Sequence, residues 1–459
     1  MKTAIMMKKG LLSLMLGLCS FGVQAQNPII QTHYTTDPAP MVYGDTLYLY
    51  VGCDEKDAPK DSYLMREYRL YTTTDMVNWT DCGAPLKTSA FAWSAGDASA
   101  AQCIPRNGRF YWYISSQNRK NPGSSIGVAV GNTPYGPFQD ALGHGLVTND
   151  MTTYAKHSWD DLDPTVYIDD DGQAWLYWGN GACYRAKLNE DMVSLGSGIE
   201  VIDRLDSVAL SGGYTEAPWL YKRKDNYYLV YASGFPECIC YSMSDSIGGG
   251  WKAKGIVMPL ERGSNTNHPG IVDYKGHSYF FYHNDALPGG HSYCRSVCVE
   301  EFHYGADGEL PEIHMTDAGI VEAVGSLNPY VRTQAETMAW SEGVTTATDE
   351  ERGVYVTDIH HGDYIKVREV DFGSQGTSRF RAVASSRYFG GQIELRLDSL
   401  EGEIVGTLDI PYTGEWENWQ ECTASVKRVE GIHDLYLVFK GKRPHALFNL
   451  DYWKFDSES

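Results

Sequence analysis

Apolar positions along most of this chain recur with a period of two, in short runs bracketed by turn dipeptides, which is the signature of β-strands. Five segments share one layout. Asp37-Pro38-Ala39-Pro40-Met41-Val42 is followed by Gly44-Asp45 and then Leu47-Tyr48-Leu49-Tyr50. Ala100 to Pro105 precedes Asn107-Gly108 and Phe110-Tyr111-Trp112-Tyr113. Asp163-Pro164-Thr165-Val166-Tyr167-Ile168 precedes Asp171-Gly172 and Trp175-Leu176-Tyr177-Trp178. Glu216-Ala217-Pro218-Trp219-Leu220 precedes Asp225-Asn226 and Tyr227-Tyr228-Leu229-Val230. His268-Pro269-Gly270-Ile271-Val272 precedes Lys275-Gly276 and Tyr279-Phe280-Phe281-Tyr282. Each copy reads as a β-hairpin, and the copies recur at roughly 50 to 65 residues. With further strands between them and little helical periodicity, five such repeats predict a five-bladed β-propeller.

From about Val331 the texture changes. Ile365-Lys366-Val367, Phe380 to Ala384, Ile393 to Leu397 and Leu435 to Phe439 alternate apolar and polar residues. That alternation predicts half-buried antiparallel sheets, hence a β-sandwich of jelly-roll type. The whole chain therefore reads as all-β: a propeller over residues 26–328 and a sandwich over 329–459. Residues 1–25 read as a cleavable export signal, with Lys2, Lys8 and Lys9 before the apolar run Leu11 to Cys19 and a small-residue site at Val23-Gln24-Ala25. Lipidation at Cys19 is the alternative. No later apolar run is long enough for a membrane span, so the expected location is periplasmic or secreted.

The propeller makes a geometric prediction. Its innermost strands line one channel, so equivalent repeat positions converge there. The first position is Asp37, Ala100, Asp163, Glu216 and His268, which brings three carboxylates and an imidazole to one channel end. A single Asp-Pro is an ordinary turn former; three acids at one repeat position are not explained that way. Composition narrows the partner. The net charge of −21 repels nucleic acid and anionic lipid. The 12 Trp, 32 Tyr and 14 Phe suit sugar faces as well as strand cores. Of ten cysteines, nine follow the signal, an odd number without zinc-site spacing. Carboxylates facing a neutral sugar fit inverting glycoside hydrolysis, with one as base, one as acid and a third raising the acid's pKa.

At these residues the sequence resembles glycoside hydrolase family 43, over about Asn27 to Gly325. The resemblance implies Asp37 as general base, Asp163 as the acid that tunes pKa and orients the donor, and Glu216 as general acid. It implies Arg295, in Cys-Arg-Ser-Val-Cys, as the arginine reaching the sugar, with a structural ion-pair role as the alternative. It places His268 near a channel metal, commonly calcium, through water, the alternative being a core imidazole. Asp75-Met76-Val77-Asn78-Trp79-Thr80, Ile104-Pro105-Arg106-Asn107-Gly108 and Phe280-Phe281-Tyr282-His283-Asn284 are similar to arabinoxylan arabinofuranohydrolases within that family. One departure is Ala98-Ser99-Ala100, where relatives carry Ala-Trp-Ala and the Trp walls the sugar subsite. Its loss predicts a wider or differently shaped pocket unless Trp93 or Phe91 supplies the wall; Trp219 is the further candidate sugar contact, beside the general acid.

The C-terminal region resembles a family 6 carbohydrate-binding module, through Gln334-Ala335-Glu336, Gly362-Asp363-Tyr364, Thr413-Gly414-Glu415-Trp416 and Phe448-Asn449-Leu450-Asp451-Tyr452. The resemblance implies a structural calcium on Glu336 and Asp451 and a sugar cleft using Trp416 and Asn449. Asp358 stands where the cleft's second aromatic belongs. The expected activity is exo-acting, inverting removal of α-L-arabinofuranosyl groups from arabinoxylan. A β-xylosidase and a non-catalytic glycan-binding propeller are the alternatives.

Overall fold

A computed structural model describes residues 26–59, 61–202, 205, 213–261, 263–442 and 444–458. The expected export signal lies outside the described residues. Helix is limited to two three-residue 3-10 turns among those described, and none of it is long and apolar enough to cross a membrane.

Five antiparallel sheets follow one another along the first 302 residues, and each opens with an innermost strand. These strands are Tyr34–Tyr43, Ser94–Arg106, Thr165–Ile168, Tyr214–Arg223 and Gly270–Tyr274. The turn dipeptides do what their chemistry dictates: Asn107 and Gly108 have φ of 51° and 74°, and Lys275 and Gly276 have 48° and 87°. Positive φ at both central residues gives the turn whose twist matches a hairpin. Neighbouring blades are joined near the axis. Ala217 N–H donates to Asp163 Oδ2 at 2.9 Å, and Leu220 N–H donates to Thr165 Oγ1 at 3.3 Å.

The ring closes between the fifth and first blades. Ile29 N–H donates to the Val297 carbonyl at 3.0 Å, and Asn27 Oδ1 accepts from Val299 N–H at 3.0 Å. The chain's first described residues thus run beside the last blade's outer strand, Ser296–Phe302. Gly270 makes the inner closure possible, because a Cβ there would lie 2.6 Å from the Pro38 carbonyl oxygen. The nine described cysteines are free thiols, so packing and strand pairing hold the ring without disulfides.

The C-terminal domain packs a six-strand sheet, counting Thr333–Gln334 paired with Asn449–Ser457, against a five-strand sheet. One runs in the order Thr345–Asp349, Gly353–Thr357, Asn449–Ser457, Thr377–Ser385 and Gln420–Ser425. The other runs Trp340–Glu342, Tyr364–Asp371, Ile432–Lys440, Gly391–Leu397 and Ile404–Ile410. Phe380, Trp453, Phe455, Leu395, Leu437 and Phe439 fill the space between them. The predicted alternation is present: Ile393, Leu395 and Leu397 are buried while the residues between them are not.

The two domains share a sheet. Thr337–Met338 pairs antiparallel with Trp79–Asp81 and so extends the first blade. Beside this pairing, buried Asp81 accepts from Arg69 at 2.8 Å, Gly83 N–H at 2.8 Å and Thr346 Oγ1 of the sandwich at 2.6 Å. Burial pushes the Asp81 carboxyl up, but Arg69 and these donors outweigh it and hold it below the usual range. Removing one partner of a buried pair strands the other, at about 3–5 kcal/mol. We expect Asp81→Ala to lower the melting temperature and to split calorimetric unfolding into separate propeller and sandwich transitions. A single, unshifted transition would contradict this account of the interface.

Candidate active site

The acids sit at breaks in the innermost strands. Asp37 and Asp163 have φ of 51° and 58°, and Ala217, next to Glu216, has 56°. The ladder shifts register between Thr36 and Ala39 and on both sides of Glu216. A bulge leaves residues unpaired and re-aims a side chain, and a proline is tolerated there because no ladder N–H is needed. Pro38 and Pro218 therefore mark the bulges that turn Asp37 and Glu216 into the channel mouth, while Asp163 and Pro164 lead directly into the strand Thr165–Ile168. The second blade is broken too, with Asp97 at φ 61° and three register shifts between Ser94 and Ala101.

Asp37 is 6 % exposed and held by the fifth blade. Its Oδ1 accepts from Thr36 Oγ1 at 2.9 Å and from Arg295 at 3.3 Å. His283 Nδ1 and His268 Nδ1 lie 3.5 and 3.9 Å from the same oxygen. Burial pushes the Asp37 carboxyl up, yet Arg295, the imidazoles and Thr36 reverse this and hold it below the usual range. Arg295 is the cation that counts at neutral pH. Burial, chiefly, lowers His268 to about 4 and His283 to about 3, so both rings are neutral there. The Arg295 guanidinium also forks onto Asp54, at 2.9 Å through Nε and 2.9 Å through its second terminal nitrogen. Tyr63 covers it, with the ring centroid 4.8 Å away.

Glu216 has the opposite character. It keeps some contact with solvent, and burial, with the Asp37 charge, raises its carboxyl pKa despite the hydrogen bond it accepts from Asn180. Asp163, 6 % exposed, is raised well above the usual range by burial first, then by the charges of Glu216 and Asp37. A fourth carboxyl, Glu237, is 3 % exposed, and burial, then the Glu216 charge, push it well above the usual range. The site thus holds one carboxyl pushed down by a guanidinium and three pushed up by burial and by each other's charges.

The comparisons with known proteins meet at this geometry. The description Glycosyl hydrolases family 43 matches residues 25–310. The chain belongs to this family. Carbohydrate binding module (family 6) matches residues 334–457. An arabinoxylan arabinofuranohydrolase of Bacillus subtilis (strain 168) is 31% identical over 94% of this chain and 92% of its own length. One of Paenibacillus polymyxa is 32% identical over 94% of this chain and 74% of its own. The crystal structure of a Bacillus subtilis arabinoxylan arabinofuranohydrolase in complex with cellotetraose superposes with a TM-score of 0.82 at 29% identity, covering 95% of this chain and 98% of that one. The protein is a glycoside hydrolase.

Within this family 43 fold, several expected residues take other places. Phe91 and Trp93 are each 1 % exposed and pack on one another at 5.5 Å in the propeller core. Trp93 occupies the space that Gly127, lacking a side chain, leaves open. Neither wall replaces the missing Trp at Ser99, which is itself only half-buried. Trp219, 4 % exposed, donates Nε1–H to the Ile271 carbonyl at 3.1 Å and serves the core rather than the sugar. The Arg295 guanidinium is committed to Asp54 and Asp37, so it acts first as the holder of the base. His268 sits with its Nδ1 3.9 Å from Asp37 Oδ1, a carboxylate already paired with Arg295.

In the family 6 module, Trp416 is half-buried and Asn449 accepts from Thr357 Oγ1 at 2.7 Å. Asp358 points outward and pairs with His360 at 3.0 Å. An aromatic does reach Trp416, but from a different loop: Tyr388, 41 % exposed, meets it edge-on at 5.8 Å and stacks on His445 at 4.8 Å. Glu336 and Asp451 are both buried, and Glu336 Oε2 has no hydrogen-bond partner. Arg332 and Arg352 reach Asp451 at 3.4 and 3.2 Å. An orphaned, buried carboxylate oxygen beside a second acid suits a hard cation.

Sequence reasoning missed Asp54, Asn180, Glu237 and His283. Asp54 and Asn284 end the second strands of their blades, His283 is one residue before that end, and Asn180 lies two residues past its strand. In an antiparallel hairpin the end of the second strand lies opposite the start of the first: Tyr34 pairs with Asp54, and Gly270 with Phe281. Polar residues closing otherwise apolar strands were the available signal, because the repeat delivers them to the same channel mouth.

The pH dependence of the base follows from its partners. In an Asp54→Asn background, which avoids stranding a buried carboxylate, Arg295→Met leaves Asp37 to burial alone. Its folded pKa then rises, so the acidic limb of kcat/KM moves to higher pH, with the neutral rate falling about 100-fold. An unmoved acidic limb in a folded double variant would contradict the role of Arg295.

Proposed function

We propose that this enzyme is an exo-acting, inverting α-L-arabinofuranosidase that removes arabinofuranosyl side chains from arabinoxylan or its oligosaccharides. The observation that carries the reading is the pairing of Asp37 with Arg295 while Glu216, in the same channel mouth, has no cation partner, which shifts the two carboxyls in opposite directions. Asp37, kept ionised by Arg295, takes a proton from water as the water oxygen bonds to the anomeric carbon. Glu216, kept protonated, gives its proton to the glycosidic oxygen as that bond breaks. Asp163 accepts Ala217 N–H, next to the general acid, and its own burial beside Glu216 discourages joint ionisation. Water then returns the proton from Asp37 to solvent and reloads Glu216. The relatives similar over 94% of the chain, both arabinoxylan arabinofuranohydrolases, support arabinose as the sugar removed. The acidic surface supports a neutral polysaccharide partner, and the leader at Lys2 to Ala25 supports action outside the cytoplasm.

β-Xylosidase action is the second reading, favoured by Ser99 where the subsite Trp is absent. Chromatography of products from wheat arabinoxylan and from linear xylo-oligosaccharides separates the two. Arabinose from the first substrate alone is expected, with Glu216→Gln reducing its release by about 10²–10⁴-fold. Xylose as the sole product would transfer the assignment to xylosidase, and no sugar from either would remove it.

Glu336 and Asp451 are the residues that would hold a structural calcium in the sandwich, where the ion would neutralise two buried acids. Burial, with the charges of Asp81 and Asp451, pushes Glu336 up to about 9. A pKa raised on folding gives stability that is complete below the unfolded value and lost as pH climbs towards 9. Calcium replaces that proton, so it binds better and stabilises more as pH rises. The expected result is a gain in melting temperature over a chelator-treated sample that is larger at pH 8 than at pH 6, equivalent to about 2.7 kcal/mol at a hundredfold excess over Kd. Identical melting with calcium and with chelator at both pH values would remove calcium from the account.

A further inference from the structure

A pocket for a neutral sugar needs more than acids. Polar groups fix the ring's orientation, while aromatic or aliphatic walls bury its C–H faces. Phe91, Trp93 and Trp219 all pack in the core and provide no such wall. Tyr63 stands where one is needed. It lies in the connection between the strands Thr46–Asp54 and Met65–Thr73 of the first blade. Met65, two residues on, pairs with Asp54 at the rim of the channel mouth. The connection is closed by Glu55 N–H, which donates to the Leu64 carbonyl at 2.9 Å.

Two rings from different blades meet at this rim. Tyr63 is half-buried and lies over the Arg295 guanidinium, whose central carbon is 4.8 Å from the ring centroid. The same guanidinium donates to Asp37 Oδ1 at 3.3 Å, so the ring stands beside the general base. Tyr293, half-buried in the fifth blade, meets Tyr63 edge-on at 4.6 Å and 61°. The second blade comes to the same rim over Gly52. A Cβ on Gly52 would lie 3.6 Å from Met65 Sδ and 3.6 Å from the Ala98 carbonyl oxygen. Met65 Sδ is in turn 3.4 Å from a terminal nitrogen of Arg295. Ser99, the residue after Ala98, adds only a small side chain on that side, which leaves room beside Tyr63 for a ring.

We propose that Tyr63 is a wall of the donor sugar subsite, its ring braced by Tyr293 and taking a C–H face of the sugar held at Asp37. This rests on the reading of the channel mouth as a glycosidase site and adds to it a residue that selects the sugar ring. No bond forms or breaks at Tyr63.

Covering Arg295 is the competing role, and Tyr63→Leu separates the two. Leucine keeps apolar bulk over the guanidinium but offers no flat face. Calorimetric titration with free L-arabinose reads the donor subsite without turnover, and its affinity should fall about tenfold. KM for an aryl arabinofuranoside should rise by the same factor with kcat unchanged, because the contact is made in ground and transition states alike. The acidic limb set by Asp37 should stay in place. Tyr63→Phe keeps the face and should bind arabinose as the native chain does. Unchanged affinity in Tyr63→Leu, or a displaced acidic limb with affinity kept, would reduce Tyr63 to the cover of Arg295. Loss in Tyr63→Phe would assign the contact to the hydroxyl and overturn the wall. Should Tyr63→Leu not fold, Tyr293→Leu removes the brace alone, and arabinose affinity unaltered there would overturn the proposal equally. If the native chain releases xylose instead, free xylose and an aryl xyloside replace the arabinose probes. Product identity thus judges the substrate assignment, and the affinities of the variants judge Tyr63. A native chain that takes up neither sugar would overturn both.

Discussion

A guanidinium buried at the channel mouth organises this site. Arg295 comes from the fifth blade and meets Asp54 and Asp37 from the first, with little water to screen any of the three. A buried cation left alone is costly, so it draws carboxylates to itself. Two carboxylates satisfy it and none is left over for the other acids. Asp163, Glu216 and Glu237 share the same buried space without a cation of their own, and burial and mutual charge push all three carboxyls up. The division between base and acid therefore follows from how one positive charge is allotted among five acidic groups.

That allotment depends on ring closure. Arg295 reaches Asp37 only because the last blade packs on the first, which the missing side chain at Gly270 and the strip from Asn27 to Ile30 allow. The first blade carries both carboxylates and is also the blade extended by the sandwich domain, through Thr337–Met338 and Asp81. The module is thus part of the scaffold that holds the base, whatever it adds by gripping polysaccharide. Backbone breaks complete the arrangement. A regular inner strand would alternate its side chains between faces, whereas bulges at Asp37 and Glu216, and the left-handed backbone of Asp163 just before its strand, turn three acids towards one point.

The five-fold repeat, the sandwich alternation and the three acids at one repeat position were legible in the sequence alone. Hydrophobic period and turn chemistry are local properties, and a propeller converts equal repeat positions into spatial neighbours. Those same rules explain why Asp-Pro recurs, since proline marks the bulge that aims the acid. What the sequence left open depended on side chains from different blades meeting. Glu237 lies just before the third strand of the fourth blade, outside the compared repeat positions, and Asn265 and Asn267 hold it there. Phe91 and Trp93 read as candidates for the sugar wall because aromatics serve cores and pockets alike; the space above Gly127 put them in the core. Arg295 read as a sugar contact or an ion-pair partner, and which carboxylate it pairs with, Asp54 beside Asp37, came only from the packing of the fifth blade on the first. Strand and register are written in nearest-neighbour periodicity. Which charge neutralises which, and which ring faces solvent, is decided by distances across the channel that no one segment encodes.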